Sequence, residues 1–481
     1  MIAANNYIIK VFVALALASP LVSAAAAQPR EAAPAAAPVA ALDAAFHEAV
    51  LKSFYAFRHD DAALRELLQK GADVNAVDAE GNNALMLLIK AADGHNEHVI
   101  RKELFAFLRD SGINLHARNK DGLNAAELNC CLYWPYDFLT KEFEKAGVPI
   151  SPGARLAAAA AVSNVAEVER LLQAGADPNC DGSTLMSRAV HSDFSEQLVP
   201  LLLQHGFRVR DIDANISSRW LGHLLLHRTP AMVETVNLLI CHGAVLNDET
   251  WYTPYFCHLV TENTNFWQNM ALARHFVELG LDATRKDKDG KTASMLAREK
   301  KLGLGIQQIL GNPQAVLAER QKKAQQVDEA GRTPLMLAVA DPHQSAIEVY
   351  KWLRSGADVN ARDAQGRTAL FYINSFCPQK DLKAKLLIEA GADVNARDAQ
   401  GLTPLLALPY VHDISIPQQR SCAPVIRLLA EAGADLNACD PAGFTRLEQM
   451  LRRGNLSRAD SECVLLLQQL GCTPRPEALK K

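Results

Sequence analysis

Residues 331–365 read GRTPLMLAVADPHQSAIEVYKWLRSGADVNARDAQ, and the fold class follows from them. Thr333 stands where a helix begins, with a hydroxyl able to accept from the first-turn amides. Pro334 takes the first helical position, where a missing N–H costs nothing. LMLAVA forms a short helix of small apolar residues, and DPHQS interrupts it. AIEVYKWLRS then places apolar side chains at Ile347, Val349, Tyr350, Trp352 and Leu353, which predicts a second helix with one buried face. Gly356 sits where a helix ends in the left-handed conformation, which a residue without a Cβ adopts without strain. Beyond it, Asp358, Asn360 and Asp363 are turn formers whose side chains bond nearby backbone amides. Val359 is a lone apolar plug, and Gly366 permits a second positive φ. The segment therefore encodes two helices followed by a tight extended excursion.

The excursion GADVNARDAQG at 356–366 returns unchanged at 391–401. Helix-stop glycines recur at 71, 112, 147, 175, 206, 243, 280, 356, 391, 433 and 471, with Gly311 a weaker twelfth. From Gly71 to Gly471 is 400 residues over eleven intervals, about 36 each, a period that marks stacked supersecondary units. The chain has 481 residues, beyond the roughly 250–300 that one hydrophobic core serves, and an array accounts for that length.

These residues resemble the ankyrin repeat, whose pattern runs from G-x-T-P-L-x-x-A to L-L-x-x-G-A-D-x-N. The matching stretches are GRTPLMLA (331–338), GRTALFYI (366–373), GLTPLLAL (401–408), LLQKGADVNA (67–76), LLQAGADPN (171–179), LLIEAGADVNA (386–396) and LLAEAGADLNA (428–438). The resemblance implies an all-α solenoid of about ten to twelve helix pairs with short hairpin-like turns, and a role in binding other proteins. The family's usual His after T-P-L is replaced by Met336, Phe371 and Leu405, so its bond to the hairpin is expected to be absent. Units between about 120 and 320 are eroded, keeping the first helix in GARLAAAAAV (153–162), SSRWLGHLLL (217–226) and TPYFCHLV (253–260) without the hairpin signature. The expected organisation is a signal peptide at 1–27, a Pro/Ala-rich tether at 28–41 and a degenerate array at 42–297. An irregular helical spacer at 298–327, an array with a C-terminal cap at 328–472 and a tail at 473–481 complete it. Arg446, Arg452, Arg453 and Arg458 are expected to give the cap a wet outer side.

Lys10 followed by VFVALALA (11–18) and small residues at 24–27 reads as a secretory leader, which places the mature chain in a bacterial periplasm or outside the cell. Fifty basic against 54 acidic residues, a net charge of -4, provide no field for a nucleic acid or an anionic membrane. No nucleic-acid partner, no membrane after leader removal and a monomeric chain are the expectations. Phosphate loops, a Gly-x-Ser-x-Gly elbow and His-Glu-x-x-His are missing. GLGIQQILG (303–311) fails as a dinucleotide loop because Gln308 fills the third glycine position.

Function is therefore expected in a non-catalytic, cofactor-free scaffold that holds a partner protein after export, as an inhibitor, immunity factor or envelope assembly factor. The contact surfaces would be a concave face, turn tips and inter-helix insertions. Candidate contact residues are Trp134, Tyr136 and Phe138 in one insertion, Trp267 in another, and Trp251 and Tyr252 at a shortened hairpin, since Trp and Tyr dominate binding energy where they are buried by a partner. Arg362, Asp363, Gln365, Arg397, Asp398 and Gln400 are expected to project from the hairpin tips. Cys377 and Cys422 occupy corresponding connections of neighbouring units and are expected to pair as a disulfide. An effector delivered to another cell is one alternative. The other is a redox or metal-dependent enzyme using the vicinal Cys130 and Cys131 or the i, i+4 pair His223 and His227. His95, near His98 in a turn, reads as a local cap.

Overall fold

The computed structural model describes residues 36–55, 61–92, 100, 102–130, 132, 137–180, 182–227, 230–246, 257, 266–374, 377–409, 421–453 and 456–475. The expected leader lies outside them, as do His95 and His98. The chain divides into two compact units, Met1–Ala125 and Ala126–Lys481. Among the described residues every regular element is helical, apart from three isolated bridges at Val77 with Asn83, Lys286 with Thr292 and Cys439 with Thr445.

The first unit carries α1 (Ala36–Tyr55), α2 (Ala62–Gln69), α3 (Ala84–Ala92) and α4 (Lys102–Asp110). Helix α1 begins inside the span expected as tether and packs on α2 and α3. It buries Phe46, Val50 and Phe54, all within the span expected as array.

The second unit opens with α5 (Ala125–Cys130) and α6 (Asp137–Lys145). Three helix pairs follow: α7 (Pro152–Ala161) with α8 (Val165–Gln173), α9 (Thr184–His191) with α10 (Ser195–Gln204), and α11 (Ala214–His227) with α12 (Pro230–Cys241). Next come α13 (Phe266–Leu279), α14 (Ala293–Glu299), α15 (Leu304–Gly311) and α16 (Pro313–Ala324). The regular repeats resume with α17 (Pro334–Ala340), α18 (Ala346–Arg354), α19 (Lys380–Glu389), α20 (Pro404–Ala407) and α21 (Ala423–Glu431). Helices α22 (Arg446–Arg453) and α23 (Arg458–Gln469) close the unit.

Local chemistry explains the boundaries. Thr333 Oγ1 accepts from Met336 N at 3.3 Å, and Met336 Sδ accepts from Thr333 N at 3.4 Å, so the residue replacing the family's His closes a reciprocal cap. The hydroxyls of Thr403 and Thr292 accept from Leu406 N and Met295 N at the starts of α20 and α14. Thr368 makes no such cap, and Ala369 stands where Thr333 and Thr403 are followed by proline. That unit's first helix shrinks to a 3₁₀ turn at Ala369–Tyr372. Gly356 and Gly391 adopt φ of 78° and 87° at the helix ends, as expected.

Second helices form a continuous column. Helix α8 packs on α10, α10 on α12, α12 on α18, α18 on α19, α19 on α21 and α21 on α23. The step from α12 to α18 bypasses α13–α16. Arg210, just before α11, passes across Gly243 and bonds Glu389 at the end of α19, which fastens the same junction. Helix α13 flanks it and packs on α15 and α16. The bypassed helices are fixed to the column by a buried ion network. Glu278 Oε2 accepts from Arg320 Nη1 at 2.9 Å and from Lys351 Nζ at 2.8 Å, while Glu348 binds Arg320 at 3.0 Å and Lys351 at 2.6 Å. Arg320 also lies 4.0 Å over the Trp352 ring. Buried charges are tolerated only when each has partners, and here two cations meet two anions. This network is why Lys351 is buried on a helix whose apolar face was read as Ile347, Val349, Tyr350, Trp352 and Leu353.

Three first helices end on buried cations. Arg188 donates to Cys130 O and Leu132 O at 2.8 and 2.9 Å. Lys383, with no exposed surface, donates to Ala338 O, Val339 O and Asp341 O at 3.0, 3.2 and 3.3 Å. Arg446 donates to Leu406 O at 3.3 Å. Each satisfies C-terminal carbonyls that have no partner within their own helix. The expectation of a wet Arg446 is thereby corrected: it is 2% exposed. The cap is closed instead by Arg475, which binds Glu448 Oε1 and Oε2 at 2.9 and 2.7 Å and holds that carboxyl down at about 2.

Candidate functional site

The hairpins form a ladder. In several of them an aspartate or asparagine accepts from two amides further along the turn. Asp78 serves Glu80 N and Asn82 N, Asn119 serves Asp121 N and Leu123 N, and Asp363 serves Gln365 N and Arg367 N. Asp398 binds Gln400 N and Leu402 N. Neighbouring hairpins join through Ala364 N to Ala330 O at 3.0 Å and Ala399 N to Gln365 O at 2.8 Å. Gly331 has φ 74°, and a Cβ there would stand 3.0 Å from Ala364 N, so this glycine answers both a left-handed backbone and a close approach.

The Asn of four of the five GADxN stretches spans units. Asn360 Nδ2 donates to Gly391 O at 3.0 Å, and its Oδ1 accepts from Asp393 N at 2.8 Å. Asn395 makes the same clamp on Gly433 and Asp435, Asn179 on Gly206 and Arg208, and Asn75 on Gly112 and Asn114. Sequence reading assigned Asn360 to its own turn; the signal for the longer reach was its recurrence four residues after the helix-stop glycine. A further hairpin at 282–292, where Asp287 Oδ1 binds Asp289 N and Lys291 N, lies in the region read as having lost them.

The tip residues are therefore engaged in the scaffold. Asp363, expected to project, is 6% exposed and also accepts from Tyr372 OH at 2.5 Å. Burial works to raise its pKa, but the bonds from Tyr372 and from the Arg367 and Gln365 amides outweigh it and hold the carboxyl below its ordinary value. Arg362 closes its own turn on Gly366 O at 2.8 Å and reaches Arg397 O at 2.7 Å, while Arg397 closes on Gly401 O at 2.7 Å. Arg362 and Arg397 remain exposed, and Asp398 is half-buried.

Among the expected aromatic contacts, Phe138 is half-buried on α6, and Trp267 lies on α13 with its side chain outside the described residues. Trp134, Tyr136, Trp251, Tyr252 and Cys131 lie outside them altogether. His223 stacks on His191 with ring centroids 4.0 Å apart, and the side chain of His227 is not described. Among the described residues no group of three His, Cys, Asp or Glu side chains is placed to hold a metal ion. Cys377 and Cys422 do not form the expected disulfide. Both are buried thiols with separate surroundings, Cys377 donating to Val339 O at 3.0 Å and Cys422 lying 3.9 Å from Lys380 Nζ.

The bypassed helices build a feature the repeat does not require. Helices α13, α15 and α16 enclose a groove of about 900 Å³ lined by Met270, Leu304, Ile309 and Val316. Leu304, the first residue of α15, is 75% exposed, the most exposed large apolar side chain among the described residues. On the rim, Glu319 is matched by Arg274 at 3.3 Å and Lys323 at 2.7 Å. Arg298, also lining the groove, has no carboxylate partner among the described residues. The groove thus has an apolar floor and a polar rim that carries Gln307, Gln308 and Asn312 and more cations than anions. Sequence reading passed over it because GLGIQQILG was tested only as a phosphate loop.

The family model described as Ankyrin repeat matches residues 330–364, the helix–helix–hairpin unit whose caps and clamps are set out above. No curated protein matches the chain.

Proposed function

From the match of the ankyrin-repeat model to residues 330–364 we propose a non-catalytic scaffold that acts after export and holds one partner protein, with the groove of α13, α15 and α16 as the principal contact. Ankyrin repeats are interaction modules, which supports protein binding in general. The observation that carries the specific reading is Leu304, 75% exposed beside an apolar groove on helices that the column itself bypasses. The partner presents apolar side chains flanking a carboxylate that meets Arg298. Such a patch is the kind of surface that marks interaction sites on soluble proteins. The described part of the insertion around Phe138 extends the contact. Export to the periplasm fits the leader at 1–27, and an inhibitor, immunity or assembly role fits a partner met there.

Capture from envelope extract with the mature chain, run beside Leu304→Asp and Arg298→Glu, tests the reading. A protein retained by the parent and lost from both variants supports it. Retention by both variants, or capture that stays empty, contradicts it.

A further inference from the structure

We infer that Cys422 pairs with Cys463 in a disulfide that fastens the connection before α21 to the final helix of the chain. Cys422 stands at the N-cap of α21 and Cys463 lies in α23, which packs directly on α21. Cys463 Sγ lies 3.6 Å from the hydroxyl of Ser421, the residue next to Cys422 in the chain. Ser421 Oγ in turn bonds Ala459 O at 3.2 Å, so the start of α21 and the first turn of α23 are held together from both sides. Both are free thiols in the structure, 2% and 3% exposed, with Cys422 Sγ 3.9 Å from Lys380 Nζ and 4.0 Å from Pro409 O, so the bond needs a side-chain rotation at Cys422. Cys377, the partner expected from loop correspondence, points the other way, to the carbonyl of Val339.

The chemistry is thiol–disulfide exchange with a small disulfide such as glutathione disulfide as oxidant. The thiolate of one cysteine attacks a glutathione sulfur, the glutathione S–S bond breaks, and one glutathione thiol leaves. The second cysteine attacks the mixed disulfide at the protein sulfur, and a second glutathione thiol leaves. Two protein thiols and one glutathione disulfide thus become one protein disulfide and two glutathione thiols, with both protons carried by the leaving groups. Burial raises both cysteine pKa values, a cause that Lys380 and Arg446 partly offset at Cys422. Exchange is therefore fastest while the chain folds, before α21 and α23 close over the sulfurs. The bond would join residues 41 apart and so restrict the unfolded chain.

The test is to refold the full chain in a glutathione redox buffer, block remaining thiols, digest with trypsin without reduction and map cross-linked peptides. Cys422 falls in the peptide 421–427 and Cys463 in 459–480, which also holds Cys472, so Cys472→Ser is mapped in parallel. The expected result is a link between 421–427 and 459–480 that persists in Cys472→Ser and vanishes in Cys463→Ala, with the ten thiols reduced by at least two. Native helicity with Cys422 still alkylated, or Cys422 joined to Cys377 or Cys472, would overturn the inference.

Discussion

The hairpin ladder between Asp328 and Asp440 and the bypassed helices α13–α16 hold neighbouring elements together by opposite means. In the ladder the joints are exposed and repetitive. One asparagine clamps the next unit, one aspartate closes each turn, and glycine backbones approach too closely for a Cβ. The bypassed helices rely on a single buried network of Glu278, Arg320, Lys351 and Glu348, specified once. Repetition spreads stability over many small terms, which is the expected behaviour of a solenoid. A unique network concentrates it, and it frees the surrounding surface from the repeat pattern. That is where an apolar groove can open without breaking a hairpin.

The difference can be broken most forcefully at Glu278. Glu278→Ala leaves two buried cations sharing Glu348, and removing one partner of a buried pair costs about 3–5 kcal/mol. Urea unfolding followed by circular dichroism should show the loss in the second compact unit. In the ladder, Gly331→Ala meets both a positive φ and the Ala364 amide, for about 2–3 kcal/mol. Gly356→Ala has nothing within 4 Å and should lose only the backbone strain of about 1–2 kcal/mol. Equal losses at the two glycines would show that the close stacking of hairpins contributes nothing.

A pH titration separates the regions further. His275, beside the buried network and bonded to Asn237 at 2.8 Å, is pushed by burial from 6.5 to about 4, with Lys351 adding to the effect. A depressed imidazole contributes stability that is complete above pH 6.5 and is lost as pH falls towards 4. The half-buried ring makes this about 1–3 kcal/mol. His275→Gln should flatten the stability profile between pH 6.5 and 4, and an unchanged slope would remove the histidine from the account. The smallest effect belongs to the clamp. Asn360→Ala loses two partly exposed hydrogen bonds, about 1–2 kcal/mol, read as faster amide exchange at Asp393. Gln325, which makes only the bond to Gly356 O at 3.2 Å, should lose about half as much on substitution by Ala.

What could be read from the chain alone follows the same division. Gly356, Gly366, Thr333 and Pro334 announce themselves because their roles are local: a φ angle, a cap, a first turn. The Asp363 hub was half legible, as a turn former but not as a buried one, because Tyr372 reaches it from the next helix position. Arg320, Lys351, Lys383 and Arg446 were illegible as core residues. Arg320, Lys383 and Arg446 are satisfied by groups 28 to 45 positions away and Lys351 is buried against Glu278, 73 positions away, so a local window does not distinguish such a cation from a solvated one. The bypass from α12 to α18 has no periodic cue either, since both flanking helices look like ordinary second helices.

Site-specific photo-crosslinking is the most direct test that binding resides in the groove and not on the hairpin tips. A photoreactive residue at position 304, and separately at 362, is placed in the full chain and irradiated in cells. The account predicts one discrete protein adduct from 304 and none from 362. An adduct from 362 with none from 304 would contradict it.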